Sequence, residues 1–370
     1  IHNSCGWLLQ EFEANRVAVI ANAVCSENRR HDQSIQNANS GKPGDDQLTG
    51  DIDGWGGRLV ETIGPLANSV ELGGSITVLS QGTTSGDRLA QAIHAANTRD
   101  IALPSDVIGS GSKEVVTRAL KAYYAGREPE VAGQPTGWPY QTFFKHNADF
   151  RSFGDAMSEC MLVRGDLPDA LLSGGLDDFN LFSNSFEQQC RNLYDVCLAP
   201  DVLGSRVVSM SYGGWDTHGD EEFRATRNWT DIFGTDAGLD RAMREINLIS
   251  NNAYDQMVMY FSSDFGRQLV VNGDLGTDHG RGIYSVMIGT DVAGGVYGTM
   301  FPPEEAVSNG SYVPLERHGA DITGKTSTEH LLAAMSEWAH PNGGATAEAV
   351  VPGHAGSKIE TAGMLNGLLA

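Results

Sequence analysis

Apolar residues in this chain come in short runs, and several of these runs end in a polar cluster flanked by glycine. Met257-Val258-Met259-Tyr260-Phe261 is bounded by polar residues and rich in strand formers, which predicts a strand covered on both faces. Ile283 to Gly289, Arg206 to Tyr212 and Val17 to Val24 read the same way. Between such runs the period changes to that of a helix. Gly6 to Asn15 has an apolar side from Trp7, Leu8, Leu9 and Phe12, and Ala237 to Ala253 places Leu239, Met243, Ile246 and Ile249 inward. The second of these helices links the Arg206 and Met257 runs, which predicts a right-handed crossover between parallel strands. Trp55 to Val60 opens another helix, Ser75 to Leu79 reads as a short strand, and Ser112 to Tyr124 reads as a helix. Thr326-Ser327-Thr328-Glu329 has the spacing of a capping box for a helix from His330 to Trp338. Helix and strand in alternation predict an open α/β sheet.

Two stretches break the alternation. Gln33 to Gly54 is polar and rich in turn residues, which predicts a surface loop beside a site. Ala125 to Tyr140 is rich in Gly, Pro and Glu, and Asp149 to Leu203 reads as mostly helical. The chain is therefore expected to be a single α/β domain over 1–370, with an insertion over 125–203.

The strand ends carry the candidate chemistry. Gly213-Gly214-Trp215-Asp216-Thr217-His218-Gly219 follows one run, Ser262-Ser263-Asp264-Phe265-Gly266-Arg267 follows the next, and Gly276-Thr277-Asp278-His279-Gly280 precedes the last. Asp and Gly after a strand are ordinary turn chemistry when taken one cluster at a time. Histidine is not a turn former, and its recurrence in two of the three clusters favours a metal or anion site. Carboxylate and imidazole together suit zinc, manganese or iron, whereas the carboxylates alone would accept magnesium or calcium. Ser26-Glu27-Asn28-Arg29-Arg30-His31-Asp32 follows the first strand, and its paired arginines read either as an anion clamp or as a solvated charge run. His330, His340 and His354 lack partners at metal spacing and read as surface or capping histidines.

Charge narrows the partners. With 25 Lys and Arg against 47 Asp and Glu the formal charge is -22, which excludes nucleic acid and anionic membrane as main partners. No apolar run approaches a membrane span, and no signal peptide is visible. The chain opens Ile1-His2-Asn3 without an initiator methionine, so a preceding segment is expected. Five cysteines show no CxxC pair and read as buried thiols. In an exported protein one or two disulfides are expected, with Cys190–Cys197 and Cys5–Cys25 as candidates.

Taken in order, Gly213-Gly214-Trp215-Asp216-Thr217-His218, Ser262-Ser263-Asp264-Phe265-Gly266-Arg267 and Asn272-Gly273 with Gly276-Thr277-Asp278-His279-Gly280 resemble the motifs of a secreted bacterial family, domain of unknown function 1501. That family is similar to the alkaline phosphatase and sulfatase superfamily. The resemblance implies a doubly wound, mostly parallel sheet with helices on both faces, here without its first strand. It implies Asp216, His218, Asp264, Asp278 and His279 as ligands of a divalent metal ion, with zinc, manganese, calcium, magnesium and iron all open. It also implies a small anionic ester as substrate, Arg29 or Arg267 as anion clamp, water or Ser26 as nucleophile, and a periplasmic or extracellular location. The chain departs from the pattern at Arg30, which stands where a superfamily nucleophile would lie, and at Asp264, where the family usually has Glu. Two readings follow: an exported metal-dependent hydrolase of phosphate or sulfate esters, or a non-catalytic binding or structural component, in a homo- or hetero-oligomeric surface assembly.

Overall fold

The fold is that of a computed structural model. It describes residues 1–42, 53–64, 67–73, 77–83, 92–98, 122–127, 166–172, 186–198, 204–300, 307–308, 311–312, 321–340 and 346–370, with isolated positions at 119, 129–130 and 159. Of the helix expected over Ser112 to Tyr124, positions 119 and 122–124 are described and are helical, and of the insertion expected over 125–203 the described parts are 125–127, 129–130, 159, 166–172 and 186–198; the rest of both lies outside the described residues.

The fold is mixed α/β. The first helix, α1 (Gly6–Glu13), leads through a left-handed Asn15 into β1 (Val17–Val24), the hub of a five-stranded sheet. Strand order is β12-β1-β8-β5, where β5 is Met259–Phe261, β8 is Ile283–Ile288 and β12 is Thr326–Ser327; β9 (Gly295–Tyr297) also pairs with β1, and β10 (Val307–Ser308) and β11 (Ser311–Tyr312) form a separate antiparallel pair. Side chains alternate along β1. Val17 belongs to one apolar core and Ala18 and Ile20 to the other, so each face of the sheet is covered. On the first face lie α1, the helix α4 (Phe186–Cys197) and the helix α6 (Gly238–Asn247). On the second lie α3 (Trp55–Ile63), α7 (Thr328–Ala339) and α8 (Thr346–Val350). Leu239, Met243 and Ile246 of α6 are buried as the periodicity predicts, each contributing about 1.5–3 kcal/mol.

The sheet differs from a mostly parallel one. β1 pairs with β8 antiparallel and β5 pairs with β8 antiparallel, while β12 and β9 run parallel to β1. The strand that leads to Asp216, β4 (Ser205–Ser209), lies in a separate parallel ladder, β3-β2-β4, with β2 at Asn68–Glu71 and β3 at Ala92–His94. The expected crossover helix α6 thus joins strands of two ladders rather than neighbours in one. The Ser75 to Leu79 run is no strand over its described part, because Val78–Ser80 is a 3-10 turn and the strand, β2, ends at Glu71. Four cysteines, Cys5, Cys25, Cys190 and Cys197, are buried free thiols. Cys190 and Cys197 share one helix, where seven residues span roughly 10 Å, too far for a bridge. The capping box is also unmade, since Ser327 is the N-cap of α7 with no side-chain capping bond. No helix among the described residues is long and apolar enough to cross a membrane.

Candidate metal centre

Three loops and a hairpin meet at the site. β1 bulges between Ile20 and Ala23, and Asn22 takes a left-handed φ of 55° there, a conformation Asn accepts more readily than most residues. The chain then runs through Ser26 to Arg30 into α2 (His31–Ser40), with Arg30 as N-cap. The polar stretch expected to be a loop is therefore helical at its start, and its 43–52 portion lies outside the described residues. Arg58 of α3, 4 % exposed, donates to the carbonyls of Ser40, Asp53 and Val350 and so ties the end of α2 to α3 and α8.

Asp216 and His218 sit on the loop between β4 and the helix α5 (Glu221–Phe233). Asp264 follows β5, and Asp278 and His279 lie on β7 (Thr277–His279), which forms a hairpin with β6 (Arg267–Val271) rather than a loop. Gly276 presses this hairpin onto the Asp216 loop: a Cβ there would stand 2.2 Å from the His218 carbonyl carbon.

The ligand atoms converge. His218 Nε2 and His279 Nε2 are each 3.0 Å from Asp216 Oδ1 and 3.0 Å from one another. His31 Nε2 lies 3.5 Å from Asp216 Oδ2, is shielded from solvent and has no hydrogen-bond partner. His31, Asp216 and His279 offer atoms all within 4.8 Å of each other, the spacing of ligands around one cation.

Each imidazole is fixed from behind. His279 Nδ1 is 2.9 Å from the Arg29 carbonyl, which only accepts, so Nδ1 carries the proton. His31 Nδ1 faces Asp264 Oδ2 at 2.6 Å, which assigns the proton in the same way, and the Asp278 carboxylate lies 3.4 Å from His218 Nδ1. Three Nε2 atoms are thereby turned inward toward one carboxylate. Acceptor-only atoms this close repel unless a proton or a cation stands between them. A ligating histidine whose other N–H is held by a carboxylate or carbonyl is the usual arrangement around zinc and iron. The residues fit a divalent metal.

Arg267 completes the electrostatics. Its Nη1 donates to Asp216 Oδ1 at 2.9 Å, its Nε donates to Thr277 Oγ1 at 3.1 Å, and its Nη2 donates to the Thr277 carbonyl. With a proton in place of a cation on the inward ring nitrogens, burial works to raise the Asp216 carboxyl, but hydrogen bonds from the His279 ring and from Arg267 and the charge of the nearby rings outweigh it and push it down to about 2. Phe265 stacks obliquely on His31 and His279, with ring centroids at 4.5 and 4.4 Å, and walls the cluster on one side.

The structure gathers Asp216, His218 and His279 at the centre and sets Asp264 and Asp278 behind, Asp264 hydrogen-bonded to His31 and Asp278 paired with His218 at 3.4 Å. The sequence reading did not single out His31. Its signal was a histidine at a strand's carboxyl end opening a helix, obscured by the charged run around it. The other candidates stand apart from the three converging groups. Ser26 is 4 % exposed and its Oγ accepts from the Asn28 N–H at 3.3 Å and from Asn37 at 3.4 Å. The Arg29 side chain pairs with Asp321, and Arg30 pairs with Asp32. A cavity of about 660 Å³ lies elsewhere, between α7, α8 and the C-terminal segment, lined by His330, Trp338, His354, Leu365 and Leu368.

Residues 183–312 match the profile of a family described as protein of unknown function, DUF1501. The matched segment carries Asp216, His218, Asp264, Asp278 and His279, and leaves His31 outside it. No curated protein and no solved structure matches the chain.

Proposed function

We propose that this chain is an exported, divalent-metal-dependent hydrolase of phosphate or sulfate esters. The observation that carries the reading is the set of three imidazoles whose Nδ1 atoms each face an acceptor and whose Nε2 atoms converge on Asp216. His31, Asp216 and His279 hold the ion, and His218 stands 3.0 Å from two of them as a further donor. A donor set rich in nitrogen favours zinc, manganese or iron over magnesium and calcium. A divalent cation at this position would polarise an ester oxygen and stabilise the charge that develops on it. Arg267 holds the Asp216 carboxylate ionised and in place, and Phe265 excludes water from one side of the rings. The buried Ser26 hydroxyl leaves water as the nucleophile. The likeness of the three motifs to the DUF1501 family supports the location outside the cytoplasm, and that family's similarity to the alkaline phosphatase and sulfatase superfamily supports the substrate class.

A second reading, a metal-holding component without catalysis, is favoured by a specific observation: Arg29 and Arg267 both spend their guanidinium groups inside the protein. Elemental analysis of the purified chain, followed by hydrolysis assays with p-nitrophenyl phosphate and p-nitrophenyl sulfate, separates the two. Stoichiometric metal with turnover that disappears in Asp216→Ala supports the hydrolase. Stoichiometric metal without turnover leaves the binding component, and no metal after reconstitution removes both.

A further inference from the structure

We infer that Asp321 is a positioning residue that sets the ligand histidines through two arginines. Asp321 is fully buried, and a buried carboxylate is costly unless it is fully paired. It meets that demand by joining two distant loops. Its Oδ1 accepts from the Arg281 backbone N–H at 2.8 Å, and its Oδ2 accepts from Arg281 Nε at 2.8 Å and from Arg29 Nη2. Both arginines belong to the frame of the cluster. The Arg29 carbonyl receives the His279 Nδ1–H, and His31 lies two residues further along the same backbone. Arg281 lies two residues after His279, and the Gly282 N–H donates to the Ile322 carbonyl beside Asp321. Between them Gly280 admits no side chain, because a Cβ would meet the Arg267 carbonyl oxygen at 2.6 Å and Asp321 Oδ1 at 2.8 Å. One carboxylate thus fixes the acceptor that decides which His279 nitrogen carries the proton, and anchors the segments that bear His279 and His31. Neither Asp321 nor Arg281 reaches the inward-facing atoms, so their effect passes through other residues.

The inference rests on the metal reading above for one of its two readouts. The test is made on the full chain with Asp321→Asn and with Arg29→Met, the latter leaving Asp321 paired to Arg281 so that the fold is kept if the first variant does not fold. Zinc affinity by competition titration is expected to fall about 10- to 100-fold in Asp321→Asn and less in Arg29→Met. In the metal-free protein, long-range nitrogen–proton correlation spectra of the imidazoles are expected to show His279 as the Nδ1–H tautomer in the parent and as a mixture in either variant. A folded variant with the parent's zinc affinity and the parent's His279 pattern overturns the inference. A parent that binds no zinc removes the metal reading alone, and the His279 pattern then decides the role of Asp321.

Discussion

His279 and His354 each stand with Nδ1 against a backbone carbonyl, Arg29 at 2.9 Å and Val351 at 3.0 Å, yet they occupy different kinds of region. His279 has a second nitrogen 3.0 Å from a carboxylate and from another imidazole. His354 has Glu348 3.4 Å from that same Nδ1, and its neighbour His330 turns Nε2 to the Ser357 carbonyl at 3.0 Å, with the two rings edge-on at 6.2 Å. Among the described residues, the group of ligand atoms that converges within 4.8 Å is His31, Asp216 and His279. Histidines and acids are present in both places. What differs is that the first set comes from three separate strand ends whose backbones are pressed together, so the spare nitrogens face one point. The second set comes from the first turn of α7 and the segment after α8, where carbonyls close by in space absorb the ring nitrogens.

Breaking the first region is expected to have the largest effect. Asp216→Ala or His279→Ala should reduce zinc binding at least about 100-fold, measured by calorimetry and elemental analysis, because each removes an atom of the converging set. Asp264→Ala should follow with a loss of about 10- to 100-fold, since it frees the His31 ring without removing a central ligand. A variant that binds zinc like the parent would mean that Phe265 stacking alone holds that ring.

Acid and base titrations sharpen the contrast further. The Asp216 carboxyl is held below its ordinary value near 3.9, so its stabilisation is present above that pH and is lost as the pH falls toward about 2. In the metal-free chain Asp216→Asn should flatten the acid limb of the stability curve by about 1 kcal/mol or less, because the side chain is nearly half exposed. Glu329, in the first turn of α7, has the opposite sign. Burial pushes it up, and the hydrogen bonds to its own backbone and to Ser327 only partly offset that. Its contribution is full below an ordinary Glu value near 4.3 and is lost as the pH rises through the folded value. Glu329→Gln should therefore raise the melting temperature by about 1–3 °C at pH 8 and leave it unchanged at pH 4. The double variant His330→Ala, His354→Ala should leave zinc stoichiometry untouched.

Much of this was legible in the chain. β1, β5, β8 and the inward set of α6 follow from local apolar patterning, which needs no partner to be read. The helix α2 was not legible, because it carries polar residues throughout and its buried Ser34, Asn37 and Ser40 look like loop residues. Where the side chains of Arg29 and Ser26 turn was not legible either, since a polar side chain gives no local sign of whether it faces a site or packs against Asp321 or Asn37.

The sequence by itself determined that the segments of β1, β4, β5 and β8 are strands and that Asp216, His218, Asp264, Asp278 and His279 stand at or beside strand ends, because burial period and residue type are local properties. Only the tertiary structure decided that the central sheet is mixed, that His31 joins Asp216 and His279 at the centre, and that Asp264 and Asp278 stand behind the rings. Those outcomes depend on pairing and on hydrogen bonds between residues far apart in the chain, 250 positions between His279 and Arg29, and no local pattern encodes contacts at that separation.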